Sequence, residues 1–231
     1  MQRVITPELL DALPPDDPRA QKSRRDLQRI NWWMGNAGKI AAWLKQGGAG
    51  KSFHRLIELG AGDGTFALKL ARQLAPHIGP MRLVLVDRLH LVTQQTQLEL
   101  QKSGWQTELV IANVFDWLPN YKSGSDTGIF AILFLHHFTE VQLRELFSQA
   151  AAKCIFFAAC DPRRSSFALF GSRLLGAIGC NAVTRHDAIV SVRAGFIGQE
   201  LTKLWPSNSP WHLLEKETGL FSHGFIARRM E

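Results

Sequence analysis

The sequence predicts an α/β fold: a doubly wound, mainly parallel seven-stranded sheet with a terminal antiparallel hairpin and an N-terminal helical cap. Three observations carry this. Between Arg55 and Cys160 short apolar runs alternate with helix-period stretches, the pattern of right-handed βαβ units. Gly128–Leu135 is almost wholly apolar, as a central parallel strand covered on both faces requires. Trp211–Thr218 and Phe221–Arg228 are joined across Gly219, which reads as a closing hairpin.

Each element has its own signal. Thr6-Pro7 is a cap followed by a first-turn proline, and the helix it opens stops at Pro14-Pro15. Asp17-Pro18 repeats that start, and Leu27, Ile30 and Met34 give one apolar face to about Gly35. A third helix, Ala37–Leu44, ends in Gly47-Gly48. The period then changes. Arg55–Leu59, Met81–Val86, Thr107–Ala112, Gly128–Leu135 and Cys154–Cys160 read as strands, with helices over Thr65–Leu74, Leu91–Gln101 and Glu140–Ala152. Thr139-x-x-Gln142 is a capping box for the last of these. Phe167, Phe170, Leu174 and Ile178 mark one further helix, and Thr184-x-x-Asp187 opens another that runs to Gly195.

Composition bounds the function. The 231 residues are 45% apolar and 20% charged, ordinary for a packed globular protein. The longest apolar runs fall far short of the roughly 18 residues a membrane span needs. The N-terminus has no signal-peptide h-region, and Cys154, Cys160 and Cys180 form no C-x-x-C pair; a cytoplasmic protein is expected. The balance of 27 basic and 20 acidic residues is 27 − 20 = +7, which raises the odds of an anionic partner. The charge is dispersed, however, and its densest cluster (Lys22, Arg24, Arg25, Arg29) contains Asp26. That reads as a solvated helix face, so nucleic acid is a possible partner but not the favoured one.

The main chemical signal is Glu58-Leu59-Gly60-Ala61-Gly62-Asp63-Gly64-Thr65 at a strand-to-helix turn. Glycines there let the backbone turn sharply and approach a ligand. Asp87 ends the next strand, where a carboxylate can accept from both hydroxyls of a ribose. A dinucleotide loop needs G-x-G-x-x-G, but Thr65 stands at the third glycine position. Glu58 and Asp63 would repel a diphosphate. They suit a phosphate-free adenosine cofactor with a positive ammonium and a positive sulfonium, S-adenosylmethionine. Gly50-Lys51-Ser52 is a decoy: a phosphate loop needs glycine five residues earlier, where Lys45 stands.

ELGAGDGTF followed by the VDR acid resembles motif I and the acidic second strand of class I S-adenosylmethionine-dependent methyltransferases. Ala112–Asp116 is similar to the family's adenine-flanking third-strand end, with Asn113 in place of the usual acid. Leu133-Phe134-Leu135-His136-His137-Phe138 resembles the fourth-strand end of the small-molecule, ubiquinone-type branch. Arg25–Asn36 and the Asp161–Ser165 stretch are similar to free-standing methyltransferases of bacterial secondary metabolism. The resemblance implies a helical cap over residues 1–50 and a Rossmann-like core over 51–231. A helical lid insertion is expected at about 163–204. It implies a cofactor shell of Glu58, Gly60, Ala61, Gly62, Asp63, Gly64, Asp87, Arg88, Asn113, Val114 and Phe134. Asp87 would hold the ribose, Glu58 or Asp63 the ammonium group, and Asn113 and Val114 the adenine.

The acceptor is expected to be a small aromatic or lipid-like molecule methylated on a hydroxyl or carboxyl. His136 and His137 follow the fourth strand, and either can serve as base or merely brace the pocket. They do not by themselves suggest a metal, since neighbours rarely share one ion and no third ligand is apparent. Asn31, Arg163, His186 and Arg193 are the candidate substrate contacts. Arg163 or Arg164 can clamp an anion or pair with Asp161. His186 can be a base oriented by Asp187, or the two can form a helix start. Trp33 and Met34 continue an apolar face and read as core, while Phe167–Ile178 can roof a substrate or seal the sheet. The alternatives are an RNA methyltransferase, for which no aromatic-rich basic stripe is visible, and a non-catalytic cofactor-binding protein. Oligomeric state is left open.

Overall fold

The strands are β1 (Arg55–Leu59), β2 (Arg82–Asp87), β3 (Gln106–Ile111), β4 (Thr127–Ile132), β5 (Phe156–Pro162), β6 (Trp211–Glu217) and β7 (Ser222–Arg229). They form one sheet in the order β3-β2-β1-β4-β5-β7-β6 in a computed structural model that describes residues 1–122, 126–207 and 210–230. The first five pair in parallel, and β7 runs antiparallel to both β5 and β6. Leu59 is level with Val86 on one side and Ala131 on the other. The carboxyl ends of β2, β1 and β4 therefore share one edge, and the chain reverses its winding between β1 and β4. That is where an open α/β sheet leaves a crevice for a ligand.

The helices are α1 (Leu9–Ala12), α2 (Pro18–Met34), α3 (Asn36–Gly47), α4 (Thr65–Leu74), α5 (Gln94–Lys102), α6 (Val114–Trp117), α7 (Glu140–Lys153), α8 (Ser166–Arg173) and α9 (Ala182–Ala194). The apolar stripe of α3 (Ile40, Ala41, Leu44) joins that of α4 (Leu70, Leu74) in a core on one sheet face. Gly47 lies there with no room for a side chain, because a Cβ would meet the Phe156 ring at 2.3 Å. The opposite face packs α7 under an aromatic cluster in which Phe147 and Phe157 stand 5.1 and 5.3 Å from Trp205. Every residue of β4 is buried, which accounts for its apolar run. No helix among the described residues is long and apolar enough to cross a membrane.

Several boundaries differ from the sequence reading. Helix α1 starts after Thr6-Pro7, because the preceding chain is held extended by Val4 N–H donating to the Arg193 carbonyl and by Arg3. The Phe167–Ile178 stretch is α8 followed by a 3-10 turn over Leu174–Ile178, ended by Gly179 at φ 79°. Phe167, Phe170, Leu174 and Ile178 are 40–58% exposed, so the stripe they form does not seal the sheet. Trp33 is 57% exposed rather than core. Helix α9 opens at Asn181, whose side chain accepts from Thr184 N–H; Thr184 is inside the helix, not its cap. Asp26 is 2% exposed. It accepts from Asn181 N–H at 2.9 Å and pairs with Lys22 and Arg29, so the basic cluster is built around a structural anchor for α9. Gly50-Lys51-Ser52 forms a tight turn in which Gly50 N–H donates to Phe53, and it opens no helix.

Candidate active site

The glycine turn hangs on β2. Gly60 and Ala61 both donate N–H to the Val86 carbonyl, at 2.9 and 3.1 Å. Gly60, Gly62 and Gly64 have φ of 73°, 55° and 73°, a backbone region that costs a side-chain-bearing residue strain. Gly62 faces open space, whereas a Cβ on Gly60 would strike the Phe134 ring at 2.3 Å. The turn is thus closed on one glycine and open at the next.

Three acids surround it, each in a different state. Asp87 accepts from Gly62 N–H at 2.8 Å through Oδ2 and from Leu89 N–H at 2.9 Å through Oδ1. Each oxygen keeps a second lone pair, so the carboxylate both fixes the turn and can receive two hydroxyls. Asp63 is largely committed. Its Oδ1 accepts from the Thr65 N–H and hydroxyl, and its Oδ2 from Gln28 Nε2 at 2.6 Å. Glu58 is 2% exposed, and its Oε2 has no hydrogen-bond partner. Burial, then the neighbouring charges of Asp63 and Asp87, hold its pKa well above the carboxylate range. Of the two acids proposed for an ammonium group, Glu58 is the one left wanting a positive partner.

Beyond β2 the shell is less uniform. Arg88 is exposed and lends its charge to Asp11 rather than to the turn. Asn113 caps α6, its Oδ1 accepting from Phe115 N–H at 3.1 Å. Its Oδ1 keeps a second lone pair and its NH₂ group is a donor, so both are chemically able to meet a base edge. Val114 beside it is buried.

At the end of β4 the chain breaks sharply. Leu133 has φ 51°, strain that a leucine adopts only where the surroundings impose it. The strand therefore stops at Ile132 instead of Leu135, and a 3-10 turn over Leu135–His137 follows. The two histidines of that turn diverge. His136 is 3% exposed, with Nδ1 2.8 Å from Asp161 and Nε2 3.2 Å from Glu8. Burial alone would depress its pKa, but the hydrogen bonds to Asp161 and Glu8 hold it up at about 9. Burial would raise the pKa of Glu8, but the bond and charge of His136, the charge of His137 and the bond from Ser191 together hold it down at about 2. A doubly protonated ring with both nitrogens bonded to carboxylates has no lone pair for a proton, so His136 is corrected from base to ionic brace. His137 is partly exposed, with Nδ1 3.7 Å from Asp11. Burial, reinforced by the charge on His136, lowers its pKa.

The N-terminal segment crosses this region. Arg3 donates to the carbonyls of Ala194, His136 and Phe138, and Ser191 donates to Glu8. Asp187 accepts the first two N–H groups of α1, from Leu9 at 2.8 Å and Leu10 at 2.9 Å. It caps another helix, not its own, which corrects its place as part of a helix start. His186 leans on this carboxylate at 3.0 Å and is 47% exposed. Arg193 is exposed, its carbonyl taken by Val4. Arg163 pairs with Glu217, and Arg164 with Glu200; neither pairs with Asp161, whose partner is His136. Asn31 accepts from Asn36 Nδ2 at 3.2 Å, a brace between α2 and α3. Among the described residues, none of Asn31, Arg163, His186 and Arg193 hydrogen-bonds to the glycine turn. Glu8, Asp11 and Gln28, which the sequence reading passed over, do reach the histidines or the turn.

No family model matches the sequence, and neither does any curated protein. Solved structures match its fold. An O-methyltransferase family protein from Burkholderia thailandensis aligns at a TM-score of 0.60 and 16% identity, covering 94% of this chain and 61% of its own. Magnesium protoporphyrin IX methyltransferase from Synechocystis, solved with bound SAH, aligns at 0.55 and 14%, covering 85% and 83%. A small RNA methyltransferase aligns at 0.57 and 15%, covering 88% of this chain and 25% of its own. The fold is that of class I S-adenosylmethionine-dependent methyltransferases.

Proposed function

We propose that this chain, with its class I methyltransferase fold, is an S-adenosylmethionine-dependent methyltransferase acting on a hydroxyl or carboxyl of a small aromatic or lipid-like molecule. The observation that carries the reading is the buried Glu58 carboxyl, one oxygen unpartnered, beside Asp63 and Asp87 at an open glycine turn. Such a cradle favours a cationic, phosphate-free adenosine compound and repels diphosphates. When bound, that cofactor supplies an activated methyl carbon whose leaving group is already in place.

The chain's own residues then have limited tasks. Asp87 receives the ribose hydroxyls, Glu58 faces the ammonium group, and the positive-φ glycines let the backbone pass close. Asn113 bonds the adenine edge, with Val114 as the apolar neighbour, and Phe134 covers Gly60. His137 is the base for a hydroxyl acceptor: Asp11 faces its Nδ1 and favours the proton there, leaving Nε2 as the accepting atom. A carboxylate acceptor needs no base. The exposed apolar side chains of α2 and α8 (Trp32, Trp33, Phe170) support an acceptor with an apolar body.

Purified protein incubated with S-adenosylmethionine and a cell extract is expected to release the demethylated cofactor; no turnover would favour a non-catalytic binder. With the acceptor in hand, His137→Gln is expected to lower kcat about a hundredfold or more and leave cofactor affinity unchanged. Undiminished turnover of a hydroxyl acceptor would remove the base assignment. The net charge of +7 and the shared fold of a small RNA methyltransferase favour RNA as a second reading. An RNA acceptor would announce itself by binding that weakens steeply with salt.

A further inference from the structure

We propose that Glu8, His136 and His137 form a binding site for a divalent transition-metal ion of the zinc class. Their ligand atoms lie within 4.8 Å of one another. Glu8 Oε1 stands 3.2 Å from His136 Nε2. Two ligands on one tetrahedral zinc, with bonds of about 2.0–2.1 Å, lie about 3.3–3.4 Å apart, so this edge of the coordination polyhedron is already formed. His137, its ring centroid 4.2 Å from that of His136, closes the third corner by a small side-chain rotation.

The outer shell is also in place. His136 Nδ1 is bonded at 2.8 Å to Asp161, which is wholly buried. A carboxylate on the far nitrogen is what orients a metal-bound imidazole and raises its basicity. Asp11, 3.7 Å from His137 Nδ1, extends the set. The electrostatics point the same way. Four carboxylates (Glu8, Asp11, Asp161 and Asp187) gather round two imidazoles, and the proton on His136 with Arg3 and Arg88 offsets only part of their charge. A divalent ion replacing the proton shared by Nε2 and Glu8 reduces that excess. Two imidazoles with one carboxylate select zinc, nickel or copper over magnesium or calcium.

The site has two consequences. Glu8 belongs to the N-terminal segment, so an ion there staples that segment to the end of β4. The ion also takes the His137 lone pair that a base needs, so metal loading and proton abstraction exclude one another.

The test is calorimetric titration of the full chain, first stripped with a chelator, with zinc chloride. One equivalent is expected to bind with a Kd on the order of micromolar or tighter, and magnesium chloride to give no saturable heat. Glu8→Gln and His137→Gln are each expected to weaken zinc about tenfold or more, while the surface histidines His54, His77, His90 and His212 remain in both. Cobalt(II) is expected to develop visible absorption that zinc abolishes, and zinc to slow amide exchange across residues 1–12. No saturable site, or unchanged affinity in His137→Gln, whose side chain is partly exposed and tolerant of change, would overturn the proposal. None of these readouts involves the cofactor, so failure here leaves the methyltransferase reading standing, and the converse holds.

Discussion

Asp87→Ala is expected to bind S-adenosylmethionine about a hundredfold or more weakly than the unaltered chain, with little loss of folded protein. Two losses combine. The carboxylate is the acceptor for a ribose, and hydrogen bonds to a charged group contribute about 1.5–3 kcal/mol each. It also accepts Gly62 N–H at 2.8 Å, so its removal frees the turn that must lie against the cofactor. Asp87→Asn keeps one acceptor oxygen and one of the two tasks, and should fall between, near a tenfold loss. The measurement is calorimetric titration with the cofactor, beside thermal unfolding of each variant. Equal affinity in Asp87→Ala and the unaltered chain would refute the ribose assignment.

Glu58→Gln is expected to do the opposite to stability and the same to affinity. The folded chain holds the Glu58 proton more tightly than an unfolded chain does, because burial and then Asp63 and Asp87 raise its pKa. A folded-state carboxyl with a raised pKa makes stability fall as pH rises from the unfolded value, near 4.3, up through the folded value. Each pKa unit of that rise costs about 1.4 kcal/mol. Glutamine has no such proton to hold. The variant should therefore melt about 3 °C or more above the unaltered chain at neutral pH, and the two curves should converge near pH 4. Affinity for S-adenosylmethionine should drop about tenfold or more, because a neutral amide does not answer an ammonium group. In the unaltered chain, binding should release a proton as Glu58 ionises, visible as a heat that depends on the ionisation enthalpy of the buffer. A Glu58→Gln variant that melts lower and binds equally well would make Glu58 an ordinary core residue.

What could be read from the sequence was whatever is local. Strand and helix periods, the positive-φ glycines and the acid closing β2 are properties of short windows, and the crevice at the β1–β4 switch follows from topology. Contacts between distant segments could not be read. Glu8 reaches His136 across 128 positions and Gln28 reaches Asp63 across 35; no window contains both partners. The same limit hid the difference between His136 and His137. Two adjacent histidines look alike until Asp161 and Glu8 close on one of them. Leu133 at φ 51° carried no signal, because leucine is not a residue that marks the left-handed region. Asp187 read as a helix start because aspartate often is one, yet its oxygens serve the N–H groups of α1. Trp33 continued an apolar stripe and read as core, while the structure leaves it 57% exposed at the surface.

The most direct measurement is a competition between nucleotides for one site. Titrated in turn with S-adenosylmethionine, its demethylated product, NAD and ATP, the protein should bind the first two at a single site. The two phosphate-bearing compounds should neither bind there nor displace them. Saturable binding of NAD or ATP that methyl-donor analogues fail to displace, or no binding of the sulfonium compound at any accessible concentration, would contradict the account at its base.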